Sequence, residues 1–269
     1  MAPLDGIRVV SLALNVPGPA AVARLVGEGA DAVKVEPPAG DPLALYSRAW
    51  YDELHRGVER RTLDLKTAPG RAALDDLLAA AHVLITSQRP AALVRLGLAP
   101  EPLTARHPAL RTVAIVGDVR EPDVAGHDLT YQAGAGLLRE GLPITLLADL
   151  IGAERVVSAV LLALAGPPGT RTVVGLRDAL DSLAAPLRHG LTVSGGRFGG
   201  GDPAYNVYRT RDGRLAVAAL EPHFRARLYA VLDLPLDAPL ASPAAARSCA
   251  EWTSLAEAHD LPLVAIPDA

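Results

Sequence analysis

The chain has 269 residues, 26 Lys and Arg against 30 Asp and Glu, a formal net charge of −4, and hydrophobic residues at half of its positions. That length holds one large domain, or a large domain with a small one, and the acidic balance lacks the concentrated cationic surface that nucleic-acid binding requires. The single cysteine, Cys249, excludes an internal disulfide and any multi-cysteine metal site, and is expected to be a small buried hydrophobe rather than a nucleophile.

The opening MAPLDGIRVVSLAL sets charges on both sides of a short apolar run and lacks a signal-peptide layout. No stretch approaches the roughly 20 apolar residues that span a bilayer. A cytoplasmic protein without membrane contact is expected. Ile7 to Leu14 is apolar and β-branched and reads as a buried parallel strand ending in the turn signal Pro17-Gly18-Pro19. Ala20 to Glu28 reads as a helix with Gly29 as its C-cap, and Ala32 to Val35 as a second strand before Pro37-Pro38. Such a strand–helix–strand unit builds open parallel sheets. Further strands are predicted at Thr62 to Leu65, Val83 to Thr86 and Arg111 to Val116. A helix is predicted at Ala68 to Ala81 with Pro69 near its start, and short ones at Ala91 to Leu96 and Glu101 to Arg106. Asp149 to Ala165 is apolar almost all round and reads as a buried helix.

The composition shifts at SGGRFGGGDP, which reads as a flexible connector, and a domain boundary is drawn at residue 195. The large α/β domain is thus 1–194 and the small domain 195–269. In the latter, Tyr205 to Tyr208 and Leu215 to Ala219 read as strands around the turn Arg211-Asp212-Gly213-Arg214, and Pro222 to Leu232 as a helix. The expected class is α/β, an open parallel sheet followed by a smaller domain.

Several enzyme classes lack their signatures. Pro17-Gly18-Pro19 supplies one glycine where a dinucleotide fingerprint needs three. The glycines at 195–201 are followed by no Lys-Ser or Lys-Thr, so a phosphate-binding P-loop is excluded, and no Gly-x-Ser-x-Gly elbow occurs. The seven histidines form no closely spaced pair with a carboxylate, so no zinc site is expected.

Five segments in order carry a resemblance. They are LDGIRVVSLALNVPGPAAVARLVGEGADAVKVEPPAGDP, RTLDLKTAPGRAALDDLLAAAHVLITSQRPAALVRLGL, AGHDLTYQAGAGLL, LLADLIGA and YNVYRTRDGRLAVAALEPHF. Together, over residues 4 to 232, they resemble the family III CoA-transferases (CaiB/BaiF), in particular the branch of the α-methylacyl-CoA racemases. The resemblance implies a large doubly wound parallel-sheet α/β domain and a smaller α+β domain, assembled as an interlinked homodimer whose site lies between the large domain of one subunit and the small domain of the other. It also implies an acyl-CoA substrate, with coenzyme A entering as part of that substrate and no permanently bound cofactor. It assigns catalysis to His127 of Gly-His-Asp, Asp149 of Leu-Ala-Asp and Glu221 of Leu-Glu-Pro.

These side chains suit the chemistry. Racemisation next to a thioester needs a base on one face of the α-carbon and an acid on the other, and His127 and Asp149 fit such a pair. Glu221 would hold the His127 imidazole in one tautomer. In the transferase branch the residue at the Asp149 position instead attacks the thioester. His127 and Glu221 look like the racemase branch, and the Gly-rich loop before Pro203 points towards the transferases. Racemase-like chemistry is the favoured expectation, with CoA transfer second and a non-catalytic acyl-CoA binder third. Arg89 and Arg95 are the expected phosphate ligands, since guanidinium pairs its donors with phosphate oxygens. Gly126 and Tyr131 are expected to line the thioester channel. Without the resemblance, Asp149 would read as a helix N-cap, His127 as a loop histidine and Glu221 as a helix N-terminal charge.

Two departures from the family pattern stand out. Where the family has an Asn-Arg-Gly-Lys-Arg type segment, this chain reads His55-Arg56-Gly57-Val58-Glu59, with Arg60 and Arg61 expected to compensate. The chain is also shorter than is typical of the family, so a shortened small domain and an altered dimer are expected.

Overall fold

The computed structural model describes residues 2–139 and 141–268. The chain divides into two compact units, Met1–Ala184 and Ala185–Ala269, upstream of the boundary expected at residue 195.

The first unit is built on β1 (Arg8–Ser11), α1 (Pro17–Gly27), β2 (Asp31–Glu36), α2 (Leu43–Tyr46), α3 (Arg48–Leu54), β3 (Glu59–Thr62), α4 (Ala68–Ala79) and β4 (Val83–Thr86). It continues through α5 (Pro90–Arg95), α6 (Pro100–Arg106), β5 (Arg111–Val116), α7 (Asp128–Gly134), α8 (Leu147–Ala165), β6 (Arg171–Gly175) and α9 (Leu176–Ala179). The six strands form one parallel sheet in the order β3-β2-β1-β4-β5-β6. Because side chains alternate along a strand, β1 and β4 feed both faces. Val9, Val83 and Ile85 join Val113 beneath α1 and α8, while Val10 and Leu84 pack with Leu74 and Leu78 of α4 and Leu103 of α6. Each such buried side chain stabilises the fold by about 1.5–3 kcal/mol.

Small residues let α8 come close to its neighbours. Ala153, Val156, Ala159 and Val160 are in the core, and a Cβ on Gly152 would stand 2.3 Å from Leu176 Cδ2. The helix is not buried all round, however: Leu161 is 45% and Leu162 74% exposed. Other expectations shift at element ends. α1 begins at Pro17, inside the expected turn, because proline has no N–H to lose in a first turn. β3 lies at 59–62 rather than 62–65, as an exposed edge strand of charged residues. β6, α2, α3, α7 and α9 are not among the elements expected from the sequence.

The second unit contains α10 (Ala185–Arg188), β7 (Tyr205–Arg209), β8 (Gly213–Ala218), α11 (Pro222–Val231), α12 (Ala241–Ala245), α13 (Cys249–Ala258) and β9 (Leu263–Pro267). Its antiparallel sheet runs β7-β8-β9, packed on Leu228, Tyr229 and Trp252. The expected flexible connector is a hydrogen-bonded coil: Gly195 N–H donates to Gly199 O at 3.1 Å and Gly201 N–H to Gly196 O at 2.9 Å. Cys249 is buried, its Sγ 3.3 Å from Thr210 Oγ1.

Candidate active site

In a doubly wound sheet the chain reverses direction once, and the crevice beyond the strand ends at that point receives ligands. Here the reversal lies between β1 and β4. A cavity of about 210 Å³ opens there, lined by Leu14, Asn15 and Pro17 after β1, Ser87 and Arg89 after β4, and Ile115 to Gly117 at the end of β5. Gly126, His127, Tyr131, Asp149 and Leu176 complete much of its wall.

His127 is the N-cap residue of α7, with extended backbone. Its N–H donates to Thr130 Oγ1 at 3.0 Å, and that hydroxyl donates back to His127 O at 2.8 Å. One turn on, Tyr131 lies across two glycines. A Cβ on Gly126 would stand 2.4 Å from Tyr131 Cε1, and one on Gly117 2.3 Å from its Oη, so only glycine leaves room for this ring.

Asp149 occupies the first turn of α8 but does not cap it. The neighbouring Asp128 does so from α7: it is buried, and its Oδ1 accepts from the N–H of Ala148 at 2.7 Å and of Asp149 at 3.1 Å. Its Oδ2 accepts from Gln132 Nε2 at 2.6 Å. Asp128 therefore ties the helix that carries Asp149 to the helix that His127 caps. It also acts on the titration of Asp149. Burial, helped by the negative charge of Asp128, raises the Asp149 carboxyl to about 7. The positive end of α8 pulls the other way and loses. Burial, and then the charge of Asp149, also push the Tyr131 phenol up, so it stays a neutral hydrogen-bond donor at physiological pH.

Five of the seven expected site residues thus share one cavity: Asp149, His127, Arg89, Gly126 and Tyr131. Arg95 ends α5, exposed and outside the lining. Glu221 belongs to the second unit, where it is the exposed N-cap residue of α11. Sequence reasoning missed Asn15 and Ser87, which a strand order would have placed at the switch point, Gly117 at the end of β5, and Asp128, visible only as the neighbour of His127. A second, mostly apolar cleft of about 220 Å³ shares Leu14 with the first and is lined by Leu12, Val35, Leu63, Leu65 and Leu96, with Lys66 and Gln88.

The altered segment before β3 is also accounted for. Val58 is a core residue, and Glu59 pairs with Arg61 at 2.6 Å. Arg60 lies 3.7 Å from Asp52 and over the Tyr51 ring, so both expected compensating arginines already have partners.

Residues 4–260 match CoA-transferase family III. The chain belongs to this family. Human α-methylacyl-CoA racemase is 32% identical over 262 residues, covering 87% of this chain and 66% of that protein. Succinate–glutarate CoA-transferase of Agrobacterium fabrum is 30% identical over 251 residues, covering 80% of this chain and 63% of that protein. The chain thus spans slightly less than two thirds of these curated relatives. Among solved structures, Rv3272 of Mycobacterium tuberculosis superposes with a TM-score of 0.84 at 26% identity, covering all of this chain and 83% of that one. A CaiB/BaiF protein from Brucella suis shares the fold with a TM-score of 0.83, covering 99% of this chain and 84% of that one, at 23% identity. Family III CoA-transferases therefore include both racemases and transferases at comparable distance from this chain. Among the described residues, no helix is long and apolar enough to cross a membrane.

Proposed function

We propose that the chain acts on an acyl-CoA thioester, moving the proton at the α-carbon between His127 and Asp149. The observation that carries this reading is that both side chains line one cavity while Asp149 is held near neutrality. A group that is half protonated at working pH can give a proton in one direction and take it in the other, which a 1,1-proton transfer demands. Removal of the proton leaves an enolate, and in this reading the neutral Tyr131 hydroxyl donates a hydrogen bond to its oxygen. Arg89 meets CoA phosphate, and the apolar cleft beside Leu14 takes the flat adenine ring. In the same reading Glu221 orients the His127 imidazole, and the working protein is a cytoplasmic homodimer.

CoA transfer is the second reading, because the carboxylate of Asp149 could attack the thioester, release CoA thiolate, and accept it back as an aspartyl thioester while the acid departs. That step needs ionised Asp149, which burial disfavours. Incubation with one epimer of a 2-methylacyl-CoA, without any acceptor acid, separates the readings. The proposal expects the opposite epimer to accumulate and no CoA to be found covalently on Asp149 by mass spectrometry. An Asp149–CoA adduct, with turnover only when an acceptor acid is supplied, would overturn it.

A further inference from the structure

The β1–α1 turn forms one wall of the cavity, and it is held in an unusual way. Asn15 stands at φ 65°, the left-handed region that Asn tolerates better than most residues. Its N–H donates to Asp41 Oδ1 at 2.9 Å, and the same oxygen accepts from Leu43 N–H at 2.9 Å. Asp41 Oδ2 is hydrogen-bonded to Lys34 Nζ. Both side chains are out of solvent, at 2% exposure for Lys34 and 0% for Asp41. Lys34 also lies 3.6 Å from Glu36, whose Oε1 accepts from the Tyr51 hydroxyl at 2.6 Å.

Glu36, Asp41 and His55 bring their donor atoms within 4.8 Å of one another, as in a metal site. Lys34 already sets a cation against the two carboxylates, so the cluster is explained as a buried ion pair. Such a pair is a poor way to gain stability, because desolvation offsets most of its Coulomb attraction. Fixing one geometry is the better-supported use, and the group fixed here is the backbone of a cavity residue.

We propose that Asp41, held by Lys34, is a positioning residue for the cavity, acting through the N–H of Asn15. This rests on the acyl-CoA reading for its ligand but not for its geometry. The pair orients one carboxylate oxygen towards the turn, and the turn in that conformation presents Asn15 and Pro17 to the ligand.

Two double variants isolate the acceptor. Replacing a buried ion pair by apolar groups preserves folding in favourable cases, so Lys34→Met/Asp41→Leu removes both the charges and the acceptor. Lys34→Met/Asp41→Asn removes the charges but keeps an amide oxygen for Asn15. Amide exchange at Asn15 is followed by NMR, and acetyl-CoA binding by calorimetry, on the full chain, with circular dichroism confirming the fold. In the Leu variant, Asn15 should exchange about tenfold faster than in wild type and acetyl-CoA affinity should fall about tenfold, the scale of one lost hydrogen bond. The Asn variant should stay within about threefold of wild type in both. Equal Asn15 exchange in the two variants would overturn the proposal, as would faster exchange with unchanged affinity. If the Leu variant does not fold, loss of Asn15 protection in the Asn variant overturns it and retention supports it. Wild type that binds no acetyl-CoA would instead defeat the acyl-CoA reading, and the exchange comparison would still decide the anchoring.

Discussion

At the scale of single residues, Asp149 shows how position and neighbours give one carboxylate its chemistry. The folded chain holds its proton up to about pH 7, against an ordinary value of 3.8. Between those values the folded state binds more protons than the unfolded one, so stability falls as pH rises through that window. Asp149→Asn should therefore leave stability nearly unchanged at pH 4 and raise it by about 1–2 kcal/mol at pH 8, a discounted share of the full shift for a partly exposed group. Urea unfolding at the two pH values checks this. Asp128→Asn keeps an acceptor for the Ala148 and Asp149 amides while removing the negative charge, so the pH–activity limb set by Asp149 should move to lower pH with the fold intact. A limb that stays in place would show that Asp128 acts only as a cap. The sequence made Asp149 and His127 legible through their short motifs. It could not show that the capping carboxylate of α8 comes from 20 residues upstream, since that pairing exists only once α7 and α8 meet.

Elements differ in how much of themselves they reveal. β1, β4 and β5 are central strands, and burial on both faces writes itself into the sequence as apolar runs. β3 and β6 are the sheet edges. β3 is exposed throughout and three of its four residues are charged, so the apolar residues that follow it drew the expected strand three residues too far along. α7 is seven residues with little apolar content, so no periodicity announced it, although it carries Tyr131 and begins at His127. Its function depends on glycines outside it. Gly126→Ala would push a methyl into the Tyr131 ring. A displacement of about 1 Å at a reacting centre can cost about 100-fold, so a loss of tenfold or more in kcat/KM is expected, with Tyr131→Ala in the same chain partly relieving the clash on folding but not restoring activity. Steady-state kinetics and thermal melts of the two variants together check this account.

For the whole molecule, the strand order decides where chemistry can occur. Reversal between β1 and β4 leaves a crevice at their carboxyl ends, and loops from β1, β4 and β5 meet there with α7 and α8. The sheet beneath must be rigid for such a site to hold its geometry, and Val83, Ile85 and Val113 are fully buried in it. Ile85→Ala should destabilise the first unit by about 2–5 kcal/mol in urea unfolding. The overall class was readable because strand and helix patterns alternate along the chain. The division into units fell upstream of the glycine cluster, at Ala184, because composition marks a change of texture and not where packing stops.

The central claim, proton transfer at the α-carbon by His127 and Asp149, is tested most directly by α-proton exchange in deuterium oxide. Wild type, His127→Ala and Asp149→Asn are each incubated with a 2-methylacyl-CoA, and deuterium at C2 is read by mass spectrometry. The account predicts deuterium incorporation by wild type, reduced at least 100-fold in both variants, the lower end of what one acid–base group supplies. Incorporation that survives Asp149→Asn and His127→Ala, or a wild type that binds the thioester and exchanges nothing, would contradict it.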